Sequence, residues 1–176
     1  MRRLRPATIS DLPAIYQLQN TPYRQEMLDT DLLPFEPFLQ EKTVKMNTGE
    51  ELYYILEEDG VSRATIWFSP SADFCHTIIW GPWLKTLIYC SGKAAFDHLK
   101  VPRLVFGVRQ SNRRMVRACE LFTFRIVGET KVTVTLEEPP YLGTALINFY
   151  DITMAEFRER EALMRSQSLP LEFIFP

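Results

Sequence analysis

Four arginines, Arg109, Arg113, Arg114 and Arg117, fall close together where the sequence passes from an apolar strand into a helix. The N-terminal end of a helix carries a partial positive charge and usually collects acids, so cations there act against the macrodipole. The arrangement points to an anionic partner for some of these side chains, with pairing to Glu120 or a solvated basic face as the alternative. Three cysteines, Cys75, Cys90 and Cys119, with only His76 and His98 to help them, show neither metal-ligand spacing nor an even number to pair. They read as reduced thiols of a cytoplasmic protein. Cys119 has the chemistry of a proton donor or a nucleophile, but its position between Met115 and Phe122 suits a buried, inert thiol.

The elements that must position these residues follow from periodicity. Leu4–Thr8 and then Ser10-Asp11-Leu12-Pro13, with apolar Leu12, Ile15 and Leu18, predict a short strand feeding a capped helix. Residues 21–47 contain Pro22, Pro34 and Pro37, so helices there are expected to be short and interrupted. Glu51–Glu57 and Val61–Phe68 flank the turn Glu58-Asp59-Gly60, and Phe74–Trp80 completes a three-stranded meander. The spacing of Leu84, Leu87, Ile88, Ser91, Ala95 and Leu99 is helical, and Gly92 inside it marks close packing or a slight bend. Arg103–Val108 is apolar on both faces, as a central strand would be. A helix opens at Ser111 or Asn112, followed by strands Arg125–Leu136 and Ala145–Ile152 on either side of a Glu137-Glu138-Pro139-Pro140 loop. Thr153-Met154-Ala155-Glu156 has the spacing of a capping box and starts a final helix to Arg165.

From Ala95 to Arg125 the chain has an aromatic-bearing helix end (Ala95-Phe96), a strand closing in Val108 with Asn112 four residues on, and a helix leading to Glu120-Leu121-Phe122-Thr123-Phe124. This order resembles the central part of the GCN5-related N-acetyltransferase (GNAT) superfamily, and the likeness extends from Leu4 to about Phe157. The resemblance implies an α/β fold with a central mixed, mostly antiparallel sheet flanked by helices, acetyl-CoA as cofactor, and a small-molecule or peptide amine as acceptor. Family members bind the cofactor pyrophosphate with a glycine-rich turn; here the matching residues are Gly81, Trp83, Leu84 and Lys85, with Pro82 lacking an amide donor. Thr77, Ile78 and Ile79 match the strand that holds pantetheine, and Asn112 matches the asparagine that helps fix it, although Asn112 serves equally well as a helix N-cap. Arg113, Arg114 and Arg117 lie where the 3′-phosphate and adenine end would be. Cys119 occupies the place of the tyrosine acid of many relatives, and His76 and Asp73 are candidate bases by location.

The 176 residues suit one domain, 1–176, with 153–176 as a C-terminal helix and apolar tail. A net charge of −2 gives no bias toward nucleic acid, and the arginines form one cluster without an aromatic platform. No apolar run reaches the ~18 residues of a membrane span. The tail residues Leu169, Leu171, Phe173, Ile174 and Phe175 are expected to fold back on the domain or to serve a subunit contact, such as a homodimer. Two functions stand side by side. One is acyl transfer from acetyl-CoA to a primary amine; the other is a non-catalytic GNAT-fold binding or assembly module, which the missing glycines and Cys119 favour.

Overall fold

In strand β2 (Leu52–Glu58), Tyr54 and Leu56 point to one face while Tyr53 and Ile55 point to the other, and all four are buried. A strand covered on both faces belongs to the middle layer of three. The computed structural model describes residues 1–20, 33–71, 74–134 and 143–175. Among them the strands are β1 (Arg2–Pro6), β2, β3 (Val61–Pro70), β4 (Cys75–Trp80), β5 (Arg103–Arg109), β6 (Arg125–Val134), β7 (Gly143–Thr153) and β8 (Glu172–Phe173). They form one sheet in the order β6-β7-β5-β4-β3-β2-β1-β8, in which only β4–β5 and β1–β8 pair in parallel. Helices α1 (Leu12–Gln19) and α2 (Phe35–Thr48) cover one face around Leu12, Ile15, Phe38, Tyr53 and Ile55. Helices α3 (Leu84–Lys93), α4 (Arg113–Leu121) and α5 (Met154–Ser166) share the larger core on the other face.

Several expectations change in physical detail. Helix α2 runs 14 residues without a break, because Pro34 is its N-cap and Pro37 lies in its first turn, where a backbone N–H has no helical acceptor to lose. Gly92 packs closely: a Cβ there would stand 2.2 Å from Cε2 of Phe157 on α5. Just beyond it the helix loosens into a π turn, Ala94–His98. The capping box of α5 is present, with Thr153 N–H donating to Glu156 at 2.8 Å and Glu156 N–H to Thr153 Oγ1 at 3.3 Å. Residues 135–142, including the Glu137–Pro140 loop, lie outside the described residues, as do 21–32.

The tail returns to its own domain. Glu172 and Phe173 pair with Arg3 and Leu4, and Ile174 N–H donates to the Leu4 carbonyl at 2.8 Å. Phe173 meets Tyr89 edge-on at 5.7 Å, while Phe175 stacks on His98 at 5.0 Å. The tail thus packs on its own domain: among its described residues Leu169, Leu171, Phe173 and Phe175 are partly buried and Ile174 is exposed. Among the described residues no helix is long and apolar enough to cross a membrane, and no group of His, Cys, Asp and Glu could hold a metal.

Candidate functional site

Strands β4 and β5 pair only at Cys75–Leu104 and His76–Val105. Beyond those two pairs β4 stays with β3 and β5 stays with β7, so the two central strands part and their inner main-chain edges are left without a ladder. A cavity of about 1330 Å³ opens in the gap, lined by Thr77, Ile78 and Ile79 from β4 and by Phe106, Gly107, Val108 and Arg109 from β5. Gly107 faces this space, where the absence of a side chain lets a ligand approach the strand backbone. Thr77 directs its hydroxyl away, donating to the Trp67 carbonyl at 3.0 Å, so it offers the cavity main chain rather than side chain.

Gly81, Pro82, Trp83 and Leu84 line one mouth of the cavity. Gly81 has φ +133°, and a Cβ there would lie 2.5 Å from the Ala64 Cβ, so this glycine is required by its approach to β3. Trp83 is the N-cap of α3 in the left-handed conformation, φ 63° and ψ 47°, which costs a bulky residue about 1 kcal/mol. Its ring lies under the Arg2 guanidinium at 5.3 Å, and Arg2 is itself fixed by Glu58 at 2.6 Å. The first helical bond runs from Leu87 N–H to the Trp83 carbonyl at 3.0 Å, which leaves the amides of Leu84, Lys85 and Thr86 without helical acceptors. The Lys85 side chain does not join them. It extends along the surface and donates to Gln167 at 2.9 Å, outside the cavity.

Beyond the C-terminal end of β5, Asn112 caps α4, its Oδ1 accepting from Met115 N–H at 3.2 Å, and it lines the cavity as well, so both expected roles are geometrically open to it. The arginine cluster divides by helical phase. Arg114 borders the buried stripe of Met115, Ala118 and Cys119 and lines the cavity, whereas Arg113 and Arg117 point from the outer face into solvent. Arg109, on β5, lines the cavity at 9% exposure. Cys119 does not reach the cavity. It has no exposure, and burial pushes its thiol up to about 12, so the expected proton donor is a core residue. The Asp73 position and the His76 side chain lie outside the described structure; the His76 backbone marks the last pair before the strands part.

No protein-family model matches the chain, and no curated protein matches it by sequence. Solved structures do. The spermidine N-acetyltransferase from Vibrio cholerae in complex with CoA and spermine matches with a TM-score of 0.77 at 14% identity, over 89% of this chain and 98% of that one. An N-acetyltransferase from Staphylococcus aureus Mu50 matches with a TM-score of 0.67 at 17% identity, over 88% of this chain and 99% of that one.

The chain has the GNAT fold.

At such identities the likeness is one of architecture, and the activity must be argued from the cleft. Within the GNAT frame the cavity reaches residues that the motifs did not indicate: Gln17 and Leu18 of α1, and Ser62 and Arg63 at the start of β3. Arg63 could not be found from any motif, since it lies next to the glycine turn only through the β3–β4 register, in which Thr65 faces Trp80. Gly107 did leave a signal, as a lone glycine inside an apolar strand. Among the described lining residues the only titratable side chains are Arg63, Arg109 and Arg114. Arg63 is within 3.7 Å of the Glu58 carboxylate, so the described wall is mainly apolar, with Arg109 and Arg114 as its other charged members.

Proposed function

We propose that the protein transfers an acyl group from acetyl-CoA, or a related CoA thioester, to a primary amine of a small molecule or peptide. The observation that supports this best is the parting of β4 from β5, which exposes main-chain groups of Thr77–Ile79 to a cavity that Leu84 at the α3 N-terminus and Arg114 at the start of α4 both line. Pantetheine carries amides that suit an unpaired strand edge. The amides of Leu84, Lys85 and Thr86, with the α3 dipole behind them, would meet the pyrophosphate, and Arg114 with Asn112 would meet the far phosphate end.

In the reaction the amine nitrogen bonds to the thioester carbonyl carbon, the C–S bond breaks, the amine loses a proton and the CoA sulfur gains one. Holding the two reactants together replaces a bimolecular encounter with an oriented one. Arg114 beside the cleft would lower the pKa of an amine held near it, because like charge disfavours its protonated form, and so would enlarge the neutral, attacking fraction.

A non-catalytic binding module remains the second reading. The residues that favour it are Pro82, which contributes no amide, and the described cavity wall, which contributes no general acid or base. Calorimetric titration with CoA and acetyl-CoA, followed by thiol release over a panel of polyamines, amino acids and peptides, separates the two. Binding with turnover of one acceptor supports transfer. Binding without turnover of any acceptor favours the module, and no binding at about 1 mM, roughly −4 kcal/mol, sinks the cofactor assignment.

A further inference from the structure

The cavity does not end at the parted strands. It continues inward between the sheet and helices α3, α4 and α5, where Ile88, Leu104, Met115, Ile152, Phe157 and Met164 form its wall. Each of these residues is at most 8% exposed. The inner wall includes Ser91, whose hydroxyl is already committed to the Leu87 carbonyl at 2.8 Å. Protein interiors are close-packed, with few voids larger than a water molecule, and an unfilled cavity destabilises a core in proportion to its volume. Water is a poor occupant of such a wall, since it needs polar partners and finds almost none. An extended apolar group does fit, and the two methionines give the wall the flexibility to close around chains of different length.

The inner space opens into the cleft beside Phe106 and Val108, on the helix-covered side where Thr77 and Ile79 also line it. A group reaching it from the cleft must be linear and joined to whatever lies along the strand edge. We propose that this inner end is an acyl-chain site, so that the preferred donor is a CoA thioester of a medium-length saturated acyl group rather than acetyl-CoA. The proposal rests on the CoA-binding reading above. It adds the class of donor, which nothing in the turn or the arginines specifies.

The test is the affinity of the intact protein for CoA, acetyl-CoA, butyryl-CoA, hexanoyl-CoA and octanoyl-CoA, measured by calorimetry. Burial of each further methylene should tighten binding roughly fourfold until the inner space is full. Ser91→Leu, which places a larger side chain in that space, should abolish the gain with chain length and leave affinity for CoA itself unchanged. Folding of the variant is checked by thermal unfolding, and the wild-type series stands without it. A wild-type protein that binds CoA with an affinity flat or falling along the series overturns the acyl-chain site and leaves the CoA reading intact. Failure to bind CoA at all overturns both.

Discussion

Replacing Gly92 with alanine sets two effects of opposite sign against each other. A glycine inside a helix costs about 1 kcal/mol relative to alanine, so propensity alone favours the variant. The added methyl, however, would stand 2.2 Å from Cε2, 2.6 Å from Cδ2 and 2.9 Å from Cζ of Phe157. That ring has no exposure and lies between Tyr89, stacked at 6.2 Å, and Phe96 at 5.2 Å, so a retreat toward the inner cavity it borders would give up these aromatic contacts. Overpacking costs about 1–3 kcal/mol, and approaches this short belong to the upper part of that range, about 2–3 kcal/mol. The clash should win, leaving Gly92→Ala about 1–2 kcal/mol less stable in urea unfolding and its Tm lower by roughly 2–8 °C. In a Phe157→Leu background the collision is relieved and the same change should become neutral or stabilising, a reversal that a double-mutant cycle reads directly. A Gly92→Ala protein as stable as the parent in the wild-type background would show that α5 moves aside freely, and would refute the claim that this glycine is fixed by helix contact.

Arg114→Gln should weaken CoA binding about tenfold, the effect of one charge-assisted contact, and should flatten its dependence on salt, while Arg113→Gln and Arg117→Gln change neither by calorimetry. Cys119→Ala should lower stability through lost core volume yet leave turnover per folded molecule unchanged, as measured by thiol release corrected for the folded fraction. The pH dependence of stability should carry a mark of His98, whose pKa burial holds below its ordinary value, with Lys100 adding to the effect. A depressed pKa means that the unfolded chain binds the extra proton first, so stability is full above the unfolded value of about 6.5 and declines as pH falls through the folded one. The Tyr54 hydroxyl, 2.6 Å from His98 Nδ1, and the stacked Phe175 are the contacts at stake, and His98→Gln should flatten that part of a urea-midpoint profile against pH.

The order of elements was legible because most of them are governed by local pattern: two runs flanking the Glu58-Asp59-Gly60 turn in β2 and β3, a 3.6-residue stripe in α3, and a capping box at the start of α5. The proline rule misled at α2, where position within the helix mattered more than the presence of Pro37. At the site, the pattern located the arginine cluster, and the helix phase, also readable, assigns it. With Met115, Cys119 and Phe122 as the inward stripe, Arg114 falls at roughly 110° to its centre and Arg113 and Arg117 on the far side. Other features of the site could not be read from the chain. The cleft is defined by pairs that β4 and β5 do not make, and the inner cavity by volume that three helices leave unfilled. Neither is a property of any one segment.

The turn at Gly81 shows how a feature can be present for a reason other than the one its motif suggests. A phosphate-binding loop keeps glycines so that successive amides can face the ligand, yet this glycine is fixed by its approach to Ala64, and the next residue has no amide at all. Under the proposed CoA reading the pyrophosphate would instead meet the first turn of α3, where the amides of Leu84, Lys85 and Thr86 have no helical acceptor and lie along the helix dipole. Trp83 makes that possible by accepting a left-handed backbone so that the helix can begin immediately behind it, and Arg2 above its ring, held by Glu58, keeps the indole in place. A helix terminus provides fewer directed donors than a glycine-rich loop followed by a helix. In that reading Arg114 would supply part of the difference, since a guanidinium acts over longer range and demands less of backbone geometry. The same side chain would also disfavour a protonated amine held near it, so the group proposed to bind the cofactor would bias an acceptor toward its reactive form.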